Sequence, residues 1–487
     1  MSLSTALNIA QSALQSNARQ TATVSRNITS ASDPDYNRRA ASLSSQVPGI
    51  QVMSIQRATD AALFRSNLSA TASYEGQYTL RAAIESMTQG INGIEHGSSP
   101  AKAIGSLYES LQFYASNPAN ASVAESAIDA AREVVRTLNN GTASVNAARA
   151  EADRNIAQSV ADLNQLLADF KKTNDAIVGG TAVGRDVNDA LDKRDGLLKQ
   201  IAALVPVSTI TRDNNDIVIT TASGAILFET VPREVTFQPT LVYGPNTAGN
   251  AVMIDGVPLV PGSGANTDAS GRIAANLQMR DDIAPKMQAQ LDEIARGLIS
   301  TFAETDQTGG GAPSLAGLFT WSGGPALPPG GMTTTGLAAS ISINAAMDST
   351  AGGNAFALRD GGVNGGAYLA NTSGAASFSA HLLAIQAKMD QPMAFDPMAG
   401  AGASGSIMDY STSSISWLQG VRQTADNAAQ TKQALVVRTA EALSNATGVN
   451  VDEELALLIE LEHSYGASAR LLKAADDMLA SLLAAVS

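Results

Sequence analysis

Apolar positions follow the same rhythm at the two ends of this 487-residue chain, although almost the whole protein lies between them. Near the N-terminus Leu3, Leu7, Ala10, Leu14, Asn17, Thr21, Val24 and Ile28 recur in steps of four and three. Near the C-terminus Val451, Leu455, Leu458, Glu462, Tyr465, Ala469, Leu472, Asp476, Leu479, Leu483 and Val486 do the same. This spacing keeps one stripe on one side of a helix, as pairing in a coiled coil requires. It predicts helices at both termini, with Glu454 facing outward on the second. Terminal segments fray unless something holds them. Both ends are therefore expected to be held, by each other or by neighbouring subunits, through Leu3, Leu7, Leu14, Val24, Ile28, Leu455, Leu458, Tyr465, Leu472, Leu479 and Leu483. Such a pattern belongs to the subunit of a polymer rather than to an enzyme.

Ser32-Asp33-Pro34-Asp35-Tyr36-Asn37 is dense in turn formers and ends the first helix. Helical spacing returns over about 57–94, and after a His96–Pro100 loop a helix capped by Ser99 runs to about Tyr114. The longest periodic stretch, about Ser122 to Val178, reads as a bundle rod, with Asn139-Asn140-Gly141 a candidate break. One more helix ends before Pro206. From about Val207 to Val260 the pattern alternates, with Asn214-Asn215, Ser223-Gly224 and Asp255-Gly256 as turns, predicting a small all-β insertion that folds on its own core and faces outward. Helices follow over about 272–305, 375–389, 408–446 and 451–486.

The fold class expected is mainly α with a β insertion, multidomain and nested. A terminal coiled-coil domain takes 1–31 with 450–487, and a helical bundle takes 32–205, 271–308 and 406–449. The β insertion takes 206–270. The Gly, Ala and Ser-rich stretch 309–405 belongs to the bundle or forms a further outer domain.

Composition narrows the function. Only 4% of residues are aromatic against 44% hydrophobic, so cores must be built from Ala, Leu, Ile and Val, which suits thin bundles better than deep ligand pockets. The net charge of −14 is spread thinly and no basic run occurs, which disfavours nucleic acid and anionic membranes as partners. Cysteine is absent, excluding disulfides, thiolate metal sites and cysteine nucleophiles. No apolar run of about 18 residues exists, so no membrane insertion is expected. The N-terminus has neither a positive n-region nor a continuous apolar core, so it is not a cleaved signal peptide. His96, His381 and His463 have no partner at metal spacing, and neither the phosphate-loop nor the nucleophile-elbow motif occurs. Arg212 to Asp216 resembles part of a calcium loop but lacks its later Gly and Glu, and reads as a hairpin turn. Asp192-Lys193-Arg194-Asp195 reads as a solvated helix face. No catalytic, cofactor or metal site is expected.

Both ends resemble the flagellar rod, hook and hook-associated axial proteins. In that family an N-terminal heptad helix leads into Asn-Ile-Ala-Asn and then Pro-Gly-Tyr. Here Asn27, Ile28, Pro34, Tyr36 and Arg38 match, while Ser30 replaces Asn and Asp35 replaces Gly. Gly448 to Glu454, continuing through Tyr465, Arg470 and Asp476, is similar to the family's closing helix. Within the family, Leu191 to Leu198, including Asp192, Arg194 and Asp195, and the Gly271-Arg272-Ile273 segment resemble the hook-associated members rather than hook, rod or flagellin-type chains. The resemblance covers roughly 1–310 and 407–487. It implies an extracellular structural adaptor between hook and filament, exported by the flagellar type III route without signal cleavage. It also implies as partners the hook protein, the second hook–filament junction protein, further copies of the chain and an export chaperone on the C-terminal helix. Another axial protein, or a secreted adhesin, is the alternative.

Overall fold

The computed structural model describes residues 3–46, 49–93, 97–259 and 269–486. His96 falls outside them. Helix α1 (Leu3–Ser30) is followed by a two-stranded antiparallel hairpin, β1 (Arg39–Gln46) and β2 (Gly49–Arg57), with a bulge between Ser42 and Leu43. Then come α2 (Ala61–Asn92), α3 (Pro100–Ser116), α4 (Ala121–Ala182) and α5 (Asn188–Leu204). The hairpin is absent from the sequence reading because Arg39 to Arg57 lacks a clean apolar alternation.

The helix ends have local causes. Asp60 accepts hydrogen bonds from the Ala62 and Leu63 amides at the start of α2. Ser99 caps α3 ahead of Pro100, as expected. Helix α4 runs through Asn139-Asn140-Gly141 without the anticipated break, and its 62 residues make a rod of about 93 Å. A Cβ on Gly141 would lie 3.0 Å from Leu291 Cδ1, so this glycine is a notch for a neighbouring helix. Asn139 meanwhile donates back to the Val135 carbonyl of its own helix.

Strands β3 (Val207–Thr211), β4 (Ile217–Thr221), β5 (Ile226–Glu229) and β6 (Val231–Pro232) form an antiparallel sheet in chain order. A second sheet joins β7 (Val235–Thr236), β8 (Met253–Ile254) and β9 (Val257–Pro258). The turns lie where the sequence put them. Asn214, Asn215, Gly224, Asp255 and Gly256 all carry positive φ, which Asn, Asp and Gly tolerate best. Helix α6 (Arg272–Gln278) then passes through a π turn, Met279–Ile283, into α7 (Ala284–Thr301).

The Gly-rich stretch is built of short pieces: β10 (Phe319–Thr320) pairs with β11 (Ser342–Ile343), β12 (Met393–Ala394) with β13 (Ser404–Gly405), and α8 (Leu337–Ser340), α9 (Ala357–Asp360) and α10 (Ala380–Asp390) lie between. Two long helices, α11 (Ile407–Thr447) and α12 (Val451–Val486), close the chain.

Two cores lie end to end along α4. One combines α2, α3, the N-terminal half of α4, α7 and α11 with Phe319, Leu358, Leu382 and Phe395, so the Gly-rich stretch packs on the bundle. The other joins Ile156, Leu163 and Phe170 of α4 and Leu198 and Ile201 of α5 to Ile219, Phe228 and Val252 of the sheets. The sheets thus close no core of their own, contrary to expectation. Their inner faces need α4 and α5 as the opposite wall, and Phe170 meets Phe228 edge-on at 4.9 Å.

Carboxylates withdrawn from water fasten the short segments of 309–405 in addition to the apolar side chains they place in the bundle core. Asp292 accepts from the amides of Gly336 and Ala338, and Glu304 from those of Val363 and Asn364. Glu293 pairs with Arg296 and accepts from the Asp396 amide.

Candidate assembly interface and the clasp that positions it

Helices α1 and α12 run antiparallel, with Asn27 bound to Glu454 and Asn17 to Ser464. Ala10, Asn17 and Val24 are buried on α1, and Glu454, Leu461, Ser468 and Ala475 on α12. Both sets step by seven, the interval that keeps two helices in contact along their length.

The buried stripe of α12 lies one residue before the predicted one at several turns. Leu455, Glu462, Ala469 and Asp476 are exposed, while Glu454, read as outward, is fully buried. The cause is polar. Arg38 Nε donates to Glu454 Oε1 at 2.6 Å and Asn27 Nδ2 to Oε2 at 3.0 Å, which sets the rotation of the helix. Of the predicted interface residues, Val24 is buried and Leu7, Leu14, Ile28, Leu458 and Leu472 are half-buried. Leu455, Tyr465, Leu479 and Leu483 stand exposed at 44%, 51%, 39% and 71%, leaving apolar surface on α12 that α1 does not cover. The side chain of Leu3 lies outside the described residues.

The matched motif residues fasten this pair to the rest of the molecule. Asn27 donates to the Arg39 carbonyl, and its Oδ1 accepts from the Tyr36 hydroxyl at 2.8 Å and the Arg39 amide at 3.0 Å. A single buried amide thereby fixes the chain reversal after α1. Pro34 is exposed in that turn. Asp35, standing where the family has Gly, keeps negative φ and pairs with Lys199 at 2.8 Å. A Cβ on Gly196 would sit 3.0 Å from Asp35 Oδ2, so glycine at this point of α5 lets the Asp35 carboxylate lie close against the helix.

Below the turn, β1 and β2 present Arg39 and Arg57 as cross-strand neighbours. Two like charges side by side repel. They are separated by Asp189, Asp192 and Asp195, spaced by three along one face of α5. Arg39 binds Asp189 and Asp192, and Arg57 binds Asp192 at 3.0 Å and Asp195 at 2.7 Å. Asn37 adds a 2.9 Å bond to Asp192, and Arg26 of α1 reaches Asp189. Burial raises the Asp195 pKa while Arg57 opposes that shift. Burial depresses the Arg194 pKa to about 10, and Arg194 bonds the Asn174 side chain and the Asn215 carbonyl.

Asp192 and Arg194 are therefore buried, not a solvated face: the hairpin arginines lie over Asp192, while Arg194 is held against α4 and the β3–β4 turn. Asp189, Arg39 and Arg57 escaped the sequence reading, and Glu454 was placed on the wrong side of its helix. The available signal was three aspartates at intervals of three and an arginine at each end of the hairpin segment.

Among the described residues no three His, Asp or Glu side chains converge as metal ligands, and no helix is long and apolar enough to cross a membrane. His463 is exposed. The arrangement can hold two helices at a set angle to a bundle.

Comparison with known proteins agrees with that geometry. Residues 86–317 match the model of the flagellar hook-associated protein FlgK helical domain, and residues 442–485 that of the flagellar basal body rod FlgEFG protein C-terminal region. The flagellar hook-associated protein 1 of Bacillus subtilis (strain 168) is 21% identical over 97% of this chain and 96% of its own length. That of Salmonella typhimurium is 26% identical over 50% of this chain and 46% of its own length. The solved flagellar hook junction protein FlgK from Burkholderia pseudomallei aligns with 53% of this chain and 47% of its own, at 17% identity and a TM-score of 0.43. The class is that of the axial proteins of the bacterial flagellum, structural subunits rather than enzymes. Within it, the chain belongs to the flagellar hook-associated protein 1 family.

Proposed function

We propose that this chain connects the flagellar hook to the filament, and that α1 and α12 carry the contact by which copies polymerise as a helical ring or tube. The supporting observation is the exposed apolar series Leu455, Ile459, Tyr465, Leu479 and Leu483 on a helix whose other side already has a partner. Exposed apolar residues repeated along a helix of roughly 54 Å suit a crowded bundle of helices from several subunits better than an isolated pair. The heptad spacing of the buried positions supports reading α1 and α12 as a coiled coil. On this reading the hook protein lies on one side and the second junction protein on the other. The chain travels through the type III apparatus without signal cleavage and works outside the cell. An export chaperone would cover the apolar face of α12 beforehand.

Deleting the gene should leave hooks without filaments under the electron microscope. Restoring it as Leu483→Asp should fail to rescue filaments, while thermal unfolding of the purified variant stays unchanged. A Leu483→Asp chain that restores filaments would show that this face of α12 is not the seam.

A further inference from the structure

Leu241 and Val242 are 96% and 77% exposed, yet both flanking residues are held firmly. The Thr240 amide donates to Asp153 Oδ2 and the Tyr243 hydroxyl to Asp153 Oδ1, each at 2.7 Å. Arg280, 1% exposed, binds the same carboxylate at 2.7 Å. Arg149 lies 4.6 Å over the Tyr243 ring and donates to the Gly244 and Thr247 carbonyls. Withdrawing such charges from water is costly unless they are well paired. Here the pairing immobilises both ends of a loop and leaves its two apolar side chains in solvent. A rigid exposed apolar pair loses little freedom on docking, as an anchor residue should.

A matching depression lies elsewhere on the same chain. Beside β3, the outer strand of its sheet, runs a groove of about 610 Å³ with Phe64, Leu191 and Leu198 among its walls, the clasp side chains Arg57 and Asp195 at one side, and Ile210 at its rim 59% exposed. Pro206 and Arg212 bond inward across the strand pair, so by the two-residue alternation Thr209 and Thr211 turn their N–H and C=O groups towards the groove. An unpaired strand edge of this kind accepts an extended segment.

We propose that the Leu241–Val242 loop of a second copy docks in this groove. The segment from Val235 to Ile254 carries no charged residue in a chain of net charge −14, so it is the surface one acidic copy can bring to another with least repulsion. The loop is anchored at Asp153 and the far side of the groove at Asn174, which holds Arg194 and Asp216. These points lie 21 residues apart on α4, or about 30 Å, too far for a loop to fill its own groove. Contact between different patches of identical copies is heterologous and propagates as a ring or helix. The proposal rests on the polymerisation reading above and adds a second, outer contact to it.

The absence of cysteine makes the test clean. Leu241→Cys and Ile210→Cys are placed on separate copies expressed together in a cell lacking the wild-type gene, and the assembled junctions are oxidised. A disulfide-linked dimer that requires both variants is expected, and it is lost when Val242→Asp is added to the first copy. Both cysteines replace exposed residues, so unchanged melting of each purified variant confirms intact folding. Filaments that form normally without the dimer would overturn the docking, as would equal cross-linking by either variant alone. Failure of the terminal-helix seam would appear instead in Leu483→Asp, which this pair leaves untouched.

Discussion

Glu454 and Asp292 are both carboxylates removed from water, and opposite means keep them there. Glu454 has a cation, Arg38, and the Asn27 amide. Glu454→Ala leaves the Arg38 Nε without its acceptor and Asn27 with the Arg39 carbonyl alone, and the loss of charge-assisted bonds should cost about 2 kcal/mol. Amide exchange along α1 and the first turns of α12 should rise accordingly, while Glu460→Ala, exposed on the same helix, should change nothing. Asp292 has no cation beside it among the described residues. Burial pushes its pKa up to about 6, although the Ala338 and Gly336 amides oppose that shift. In the unfolded chain the group titrates near 3.8, so between the two values the folded protein keeps a proton the unfolded one has lost. Its contribution to stability is full below the unfolded pKa and is lost as pH rises through about 6. A shift of that size corresponds to about 3 kcal/mol. Between pH 4 and 7 the wild type should lose most of that relative to Asp292→Asn in chemical unfolding; parallel curves would refute it.

Among the elements, long helices were legible from spacing because each buries a continuous stripe, as Ile156, Leu163 and Phe170 do on α4. The β1–β2 hairpin was not, since Arg39 and Arg57 are its informative residues and their partners lie on α5. The β sheets were located correctly but their independence was not. Joining Val205 to Gly271 through a short linker would strip Ile219, Phe228 and Val252 from Leu163, Phe170 and Leu198. Phe-to-Ala losses alone run to about 3–5 kcal/mol. Such an excision should therefore abolish cooperative melting of that half of the bundle and bind a hydrophobic dye. A shortened chain that melts like the wild type would mean the helices close their own core.

In the whole molecule, periodicity by itself determined that both termini are helices with a heptad interval, that one long rod spans the middle, and that strands interrupt the helices. Those features depend on residues a few positions apart, where helix and strand geometry repeat regularly. The resemblance of Asn27, Tyr36 and Arg38 to family motifs pointed to the family, but not to what those side chains do. Tertiary structure alone decided that Glu454 turns inward, that Asp192 lies under a hairpin, and that the Gly-rich stretch packs on the bundle with Asp292 and Glu304 binding its amides. The reason is the range of the interactions: Asn27 and Glu454 are 427 residues apart, and a buried carboxylate chooses its side of a helix by where its distant donors stand.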